Sequence, residues 1–250
     1  MIGMTTAKNY FINNYDDMIL SPVMRELYND SAFYNVGYWE HSNMLLKEAC
    51  QALMEKHLDL INLTTAPITI LDVGCGLGAT TNAIQRKFPN AKVTGINISS
   101  RQISYAQQQY PNCYFKVMDA AQLSFPENHF DLIISVEAVF HFHTRETFLA
   151  EAYKVLKKGG EFIFSDVLLY DSHWVGNWSV PKENMLTSLE SYQNLILRTS
   201  FQLDLLQNIT KESWMGFCKH IRDKRQMKDL AEGLEQSIIA YLLLRLKKPN

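Results

Sequence analysis

The sequence predicts a doubly wound α/β fold, a mostly parallel sheet of seven strands with an N-terminal helical cap and a substrate lid after strand five. Three features lead there. Strand-like and helix-like blocks alternate through the middle of the 250-residue chain. One apolar strand ends on a carboxylate and then packs three glycines into five residues, Gly74, Gly76 and Gly78. The rhythm breaks after Asp166, where a long aromatic connection begins. Alternating blocks of this kind imply strands buried on both faces under helices.

Taken in order, residues 1–60 read as a mainly helical cap, interrupted by "SAFYNVGYWE". "ITILDVG" is β-branched and apolar, the signature of a buried strand. "AKVTGIN", "CYFKVMD", "FDLIISVE" and "GEFIFSDVLL" supply four more strands. Between them "TTNAIQRKF", "SRQISYAQQQY" and "RETFLAEAYKVLKK" carry helical periodicity. Ser99 or Ser100 is placed to cap the second of these helices, and Gly159-Gly160 to end the third. Residues 169 to 190 show no clean period and read as a lid, because a loop this long in a compact domain is usually functional. "FQLDLLQNIT" and "SIIAYLLLRLKK" read as two further strands separated by a helix over Lys211 to Glu232. The expected organisation is one domain over 1–250: a cap (1–60), a ligand-binding core (61–168), a lid (169–200) and C-terminal strands with a helix (201–250).

Composition narrows the function. Lys+Arg 24 against Asp+Glu 26 leaves a formal charge of -2, without the basic surplus of a general nucleic-acid binder. The run Arg222, Lys224, Arg225 and Lys228 reads as a solvated helix face. The four cysteines, Cys50, Cys75, Cys113 and Cys218, have no metal-site spacing, so no metal is expected. They fit a reducing, cytoplasmic setting. The first twenty residues lack the charged start and apolar core of a signal peptide. No apolar run approaches the roughly 20 residues of a membrane span.

Gly74-Cys75-Gly76-Leu77-Gly78-Ala79 fits the loose pattern G-x-G-x-x-G/A, by itself a weak signal for a dinucleotide. Glycines let the backbone approach a ligand without a Cβ in the way. A ligand-free turn accounts for one glycine there, less readily for three. Asp72 separates ligand classes, because it would repel a pyrophosphate and attract a cation. S-adenosylmethionine (SAM) carries an ammonium and a sulfonium and suits such a carboxylate. No lysine follows the glycines, which excludes a P-loop.

"LDVGCGLG" resembles the first motif of the class I SAM-dependent methyltransferases, a Rossmann-like family, and the following segments fall into register with it. The resemblance implies SAM as cofactor. "VTGINISSRQISYAQQ" is similar to the second-strand motif, which puts Asn97 at the ribose hydroxyls, with Ile98 and Gln102 beside it. The family more often carries Asp or Glu there. "VMDAAQLSFPENHFDLIISVEAVFHF" resembles the next two motifs, with Asp119 and Ala120 at the adenine and Glu137 at the methionine half. "VLKKGGEFIFSDV" matches the run into strand five. The likeness covers about residues 60 to 168, and the C-terminal strands look like the antiparallel pair that closes the family's sheet. Cofactor contacts are thus expected from Asp72, Gly74, Cys75, Gly76, Gly78, Asn97, Ile98, Gln102, Asp119, Ala120, Glu137 and Tyr34.

"FYNVGYWE" looks like a segment of a small-molecule subgroup that includes quinone, sterol, tocopherol and sugar methyltransferases. It implies acceptor contacts from Tyr38 and Trp39, although a plug packing the cap on the sheet explains Trp39 equally. Trp174 and Trp178 in the lid point to a partly apolar acceptor. "VEAVFHFHTRE" supplies Glu137, His141 and His143 as candidate catalytic groups. His141 is the favoured base, because it follows the strand-four tip and methyl transfer to a hydroxyl must dispose of a proton. The expected reaction is O- or N-methylation of a small natural-product-like or metabolite acceptor. C-methylation of a lipid or terpenoid stands as the alternative, and a non-catalytic partner-binding module or an NAD-dependent oxidoreductase ranks lower. A homodimer is compatible with the sequence, which expects no nucleic-acid partner.

Overall fold

A computed structural model of the chain describes residues 12–175 and 180–250. Its centre is one seven-stranded sheet in the order β3-β2-β1-β4-β5-β7-β6. The first five strands in chain order are parallel: β1 (Thr69–Val73), β2 (Lys92–Asn97), β3 (Tyr114–Val117), β4 (Phe130–Ser135) and β5 (Leu156–Leu169). β7 (Ile238–Lys247) runs antiparallel between β5 and β6 (Gln202–Asn208). The chain winds outward from β1 through β2 to β3, then restarts on the other side of β1 with β4. The reversal between β1 and β4 opens a crevice at their carboxyl ends, where ligands bind in open α/β sheets.

Strand alternation explains the two core layers. Successive side chains point to opposite faces, so Ile70 and its neighbour Leu132 join one cluster while Leu71 and Ile133 join the other. The first face is covered by α3 (Leu46–Asp59), Ile84 of α4 (Ala79–Lys87), α8 (Trp214–Arg225) and α9 (Lys228–Ser237). The second lies under α6 (Arg145–Val155) and α7 (Leu189–Leu197). A small third cluster, Cys75, Ile103, Ala106, Cys113 and Phe115, sits beneath α5 (Ser100–Gln109). Ser99 provides the cap of α5, its Oγ accepting from the Gln102 N–H at 3.1 Å. The cap region is helical over residues 12–19 (α1) and at α2 (Pro22–Leu27).

Two element boundaries differ from expectation. Gly159 and Gly160 do not end the third core helix. α6 stops at Val155, and Leu156 already pairs with Phe130 in the sheet, so the lysines and glycines lie inside the start of β5. The single helix expected over Lys211–Glu232 is two helices. Gln226, at φ 57, turns the chain so that α9 folds back on α8. Trp214 Nε1 donates to the Leu234 carbonyl at 2.9 Å, and Arg222 pairs with Glu235 at 2.6 Å.

Candidate functional site

A cavity of about 750 Å³ opens at the carboxyl ends of β1, β2 and β4, within the range that holds a drug-sized ligand. Its floor is the glycine turn, Gly74, Cys75 and Gly76. One wall is the β2 tip and the start of α5, with Asn97, Ile98, Ser99 and Gln102; Met118, Asp119 and Ala120 follow β3. Val136, Glu137, Ala138, His141, Phe142 and His143 follow β4. The roof is the cap, where α1 contributes Ile12, Tyr15, Asp16 and Ile19 and the loop after α2 contributes Phe33, Tyr34 and Asn35, while Pro181 closes the side.

The turn uses its glycines in two ways. Gly76 has φ +53, and an added Cβ would meet only Gln102 Oε1, at 3.9 Å; the space beyond it is ligand space. Gly78 is different. It has φ +91, heads α4, does not line the cavity, and an added Cβ would sit 2.8 Å from Ala106 Cβ and 3.0 Å from Phe115. The expectation that Gly78 touches the cofactor is corrected: it lets α4 and α5 approach each other.

Asp72 also departs from expectation. It is 1% exposed and absent from the cavity wall, and its Oδ2 accepts from Thr80 Oγ1 and Thr81 Oγ1, each at 2.6 Å. The reason is strand parity together with the first turn of α4, whose hydroxyls and N-terminal dipole draw the carboxylate under the turn. Burial raises its pKa to about 6, against the lowering by the two threonines. Asp72 binds the turn to its helix rather than facing a ligand. Asp16 and Asp119 are the acidic residues that line the cavity beside Glu137, whose carboxylate turns inward to Val36 and Tyr241, and no Lys or Arg lines it among the described residues. Such a wall favours a cationic ligand.

Glu137 sits at the β4 tip with φ 51, a left-handed backbone uncommon for a non-glycine residue and frequent at functional sites. Its N–H donates to Ser165 Oγ at 2.8 Å, and its Oε2 accepts from the Val36 N–H at 2.9 Å and from Tyr241 Oη at 2.7 Å. Burial raises its pKa to about 7, against those two hydrogen bonds. The carboxylate is thus turned into the fold and joins the cap to β7. Beyond it, Asn184 Nδ2 donates to the carbonyls of Phe140 at 3.0 Å and Phe142 at 2.7 Å, gripping the loop on both sides of His141. The His141 ring lies edge-on to Tyr15, centroids 5.7 Å apart. Burial pushes the Tyr15 hydroxyl well above the usual phenol range.

Several aromatic expectations fail. Tyr38 and Trp39 do not line the cavity. Trp39 packs on Gly216 of α8, stacks near His220 with centroids 4.7 Å apart, and donates Nε1–H to the Val36 carbonyl at 2.8 Å. Tyr38 lies under Lys56, 4.7 Å from Nζ to the ring centroid. The plug reading is the correct one, since this segment docks the cap against α3 and α8. Trp174 rests against Gly233 of α9, away from the cavity. Trp178 falls outside the described residues. Tyr34, His141 and His143 do line the cavity, as do Asn97, Ile98, Gln102, Asp119, Ala120 and Glu137. Tyr15, Asp16 and Pro181 were not foreseen, because their segments carry no motif; Ser99, in the second-strand motif, was expected only as a helix cap.

An α/β sheet with its cavity at the topological switch, a bare-backbone floor and a wall without Lys or Arg among the described residues is the arrangement of a nucleoside-binding α/β enzyme. Residues 71–164 match the family described as "Methyltransferase domain". Over 249 residues the chain is 31% identical to the 27-O-demethylrifamycin SV methyltransferase of Amycolatopsis mediterranei, covering 86% of this chain and 89% of the relative. It is 28% identical over 194 residues to an O-methyltransferase of Penicillium expansum, covering 71% and 69%. The fold matches that of a geranyl diphosphate methyltransferase in complex with GPP and sinefungin, with TM-score 0.79, 17% identity and 95% and 97% of the two chains covered. The chain belongs to the SAM-dependent small-molecule methyltransferases.

Proposed function

We propose that this enzyme methylates a hydroxyl oxygen on a neutral, partly apolar small molecule, and that His141 takes up the proton. One observation carries the acceptor class: none of the described residues lining the cavity is Lys or Arg. A phosphorylated acceptor brought here would lose water around a multiply charged group without gaining a counter-charge, which is costly. Ile12, Ile19, Phe33, Phe142 and Pro181 give the cavity apolar surface instead. The O-methyltransferase names of its relatives agree with oxygen as the methylated atom.

SAM, when bound, supplies an electrophilic methyl group on its sulfonium. Gly74, Cys75 and Gly76 would hold it through backbone and Asn97, Ile98 and Gln102 through its ribose. Asp119 and Ala120 would meet the adenine, and Tyr34 and Glu137 the methionine end. His141 accepts the hydroxyl proton from the acceptor side. Glu137 is less suited, because its carboxylate is engaged by Val36 and Tyr241. His143 is exposed at the rim and fits an acceptor-contact role. The four cysteines are free and buried, which supports a reducing, cytoplasmic setting.

The test is a panel of neutral phenols and alcohols, with amine and phosphorylated counterparts, incubated with methyl-labelled SAM. Methyl transfer to neutral hydroxyls is expected; turnover of phosphorylated acceptors alone overturns the reading. His141→Gln is expected to lower kcat by about a hundredfold or more and to abolish the acidic limb of the pH–rate profile. Its affinity for S-adenosylhomocysteine should stay within about threefold, as expected of a group acting only in the transition state.

A further inference from the structure

Sheets of this kind usually read ribose hydroxyls with a carboxylate about 20 residues past the glycine turn, because an ionised acceptor strengthens the bond. Here that position is Asn97, whose carbonyl oxygen accepts from the Ser99 N–H at 3.2 Å and whose amide donates to Gln102 Oε1 at 2.9 Å. A carboxylate nevertheless reaches this corner, from another element. Asp16 on α1 lines the cavity and is 1% exposed. Its Oδ1 accepts from Gln102 Nε2 and its Oδ2 from Ser99 Oγ, both at 2.7 Å.

We infer that Asp16 is a ribose-binding residue, supplied by the N-terminal helix to a strand tip that carries no acid of its own. A carboxylate offers about four lone-pair sites, and the bonds to Ser99 and Gln102 use one on each oxygen. The remaining capacity serves a vicinal diol, the chemistry a neutral Asn97 meets only weakly. Ser99, Gln102 and Asn97 form one hydrogen-bonded chain that ends on Asp16, so the carboxylate is held at the cavity rather than left to rotate. A second tie between α1 and α5, Asp17 to Arg101 at 2.6 Å, joins two exposed side chains and adds little. Docking of α1 and binding of the nucleoside therefore depend on the same group, and each must strengthen the other by the same factor.

The inference rests on the cofactor and not on the acceptor proposed above, so the two fail separately. Calorimetry on the full chain compares S-adenosylhomocysteine with its 2′,3′-dideoxy analogue. Asp16→Asn is expected to weaken S-adenosylhomocysteine by about tenfold or more, the range of a lost charge-assisted bond, and to change binding of the dideoxy analogue by less than about twofold. Adding Asn97→Asp to Asp16→Asn should recover most of the affinity, whereas Asn97→Asp alone should weaken it by crowding two carboxylates. Hydrogen exchange should show amides of residues 12–19 protected by S-adenosylhomocysteine in the wild type and not in Asp16→Asn. Equal losses for both ligands, or no recovery in the double variant, would show that Asp16 only pins the helix. If Asp16→Asn does not fold, Asp16→Glu takes its place with the same pair of ligands. It keeps the charge but displaces it, so a reduced preference for the diol ligand supports the inference and an equal loss for both overturns it.

Discussion

Asp72 shows how one side chain's position changes its meaning. The carboxylate at the tip of β1 is as acidic in the sequence as any ligand group, yet two threonine hydroxyls hold it beneath the turn. Its substitution by Ala should therefore lower stability as well as cofactor affinity. Gly76 and Gly78 make a sharper pair. Gly78→Ala forces a Cβ to within 2.8 Å of Ala106 at φ +91, and a loss of at least ~2 kcal/mol is expected. Gly76→Ala meets only strain at φ +53; it should cost about 1 kcal/mol and weaken S-adenosylhomocysteine more than Gly78→Ala does relative to that loss. Thermal denaturation and calorimetry on the two variants check this. Glu137 carries the pH dependence. Its pKa is raised from 4.5 to about 7, so the folded state keeps a proton that the unfolded chain has released. The associated stability is complete below pH 4.5 and is lost as pH rises through 7. Asp72, raised to about 6, acts in the same direction at lower pH. The unfolding free energy from denaturant titration should fall between pH 5.5 and 7.5 by on the order of 1–3 kcal/mol, and Glu137→Gln should remove most of the fall between pH 6 and 7.5.

Elements acquire their roles from what they are tied to. The connection after β5 is anchored by a buried network. Arg145 pairs with Asp166 at 2.7 Å with side chains 1% and 0% exposed, Tyr192 Oη donates to the same carboxylate at 3.0 Å, and Arg145 also reaches the Asn184 and Val167 carbonyls. Asn184 in turn grips the loop around His141. Arg145→Leu leaves Asp166 charged and unpaired in the core, and a loss of about 3–5 kcal/mol is expected. Asn184→Ala frees the carbonyls of residues 140 and 142 and should lower kcat several-fold with little change in S-adenosylhomocysteine affinity. Trp174 belongs to a different contact. It covers Gly233 of α9, so Trp174→Ala is expected to lower the melting temperature and leave cofactor affinity unchanged. A large rise in acceptor KM would return it to the site.

At the scale of the molecule, the cavity joins three parts of the chain that the sequence keeps far apart: the cap, the carboxyl ends of the sheet and the segment at Pro181. A ligand that binds only this assembled state stabilises all of it. S-adenosylhomocysteine at a hundred times its Kd should add about 2.7 kcal/mol, a rise of roughly 5–10 °C in Tm for a chain this long. Asp16→Asn should give a smaller rise at the same concentration. The strand sequence, the glycine turn and the tips of β2, β3 and β4 were legible without a structure, because each is a local pattern of burial and turn chemistry. Asn97, Asp119 and Glu137 were expected from the resemblance to the family's motifs and His141 from its place after the strand-four tip, and all four line the cavity. Trp39 and Trp174 misled, since a large aromatic ring serves a core contact and an acceptor wall equally well and only its neighbours separate the two. The break at Gln226 was missed because the helical period continues on both sides of it.

The sequence by itself determined the sheet and the place of its glycine turn, and its resemblance to the methyltransferase motifs supplied the cofactor and the methyl-transfer class. Periodicity and a glycine turn at a strand end are local consequences of backbone geometry. Only the tertiary structure decided that Asp72 faces its own helix, that Gly78 serves packing and that the GYW segment is a plug. It alone brought Asp16 against Ser99 and Gln102 beside the β2 tip. Those outcomes depend on which surfaces meet when distant segments pack, and the direction of a side chain is fixed by that meeting.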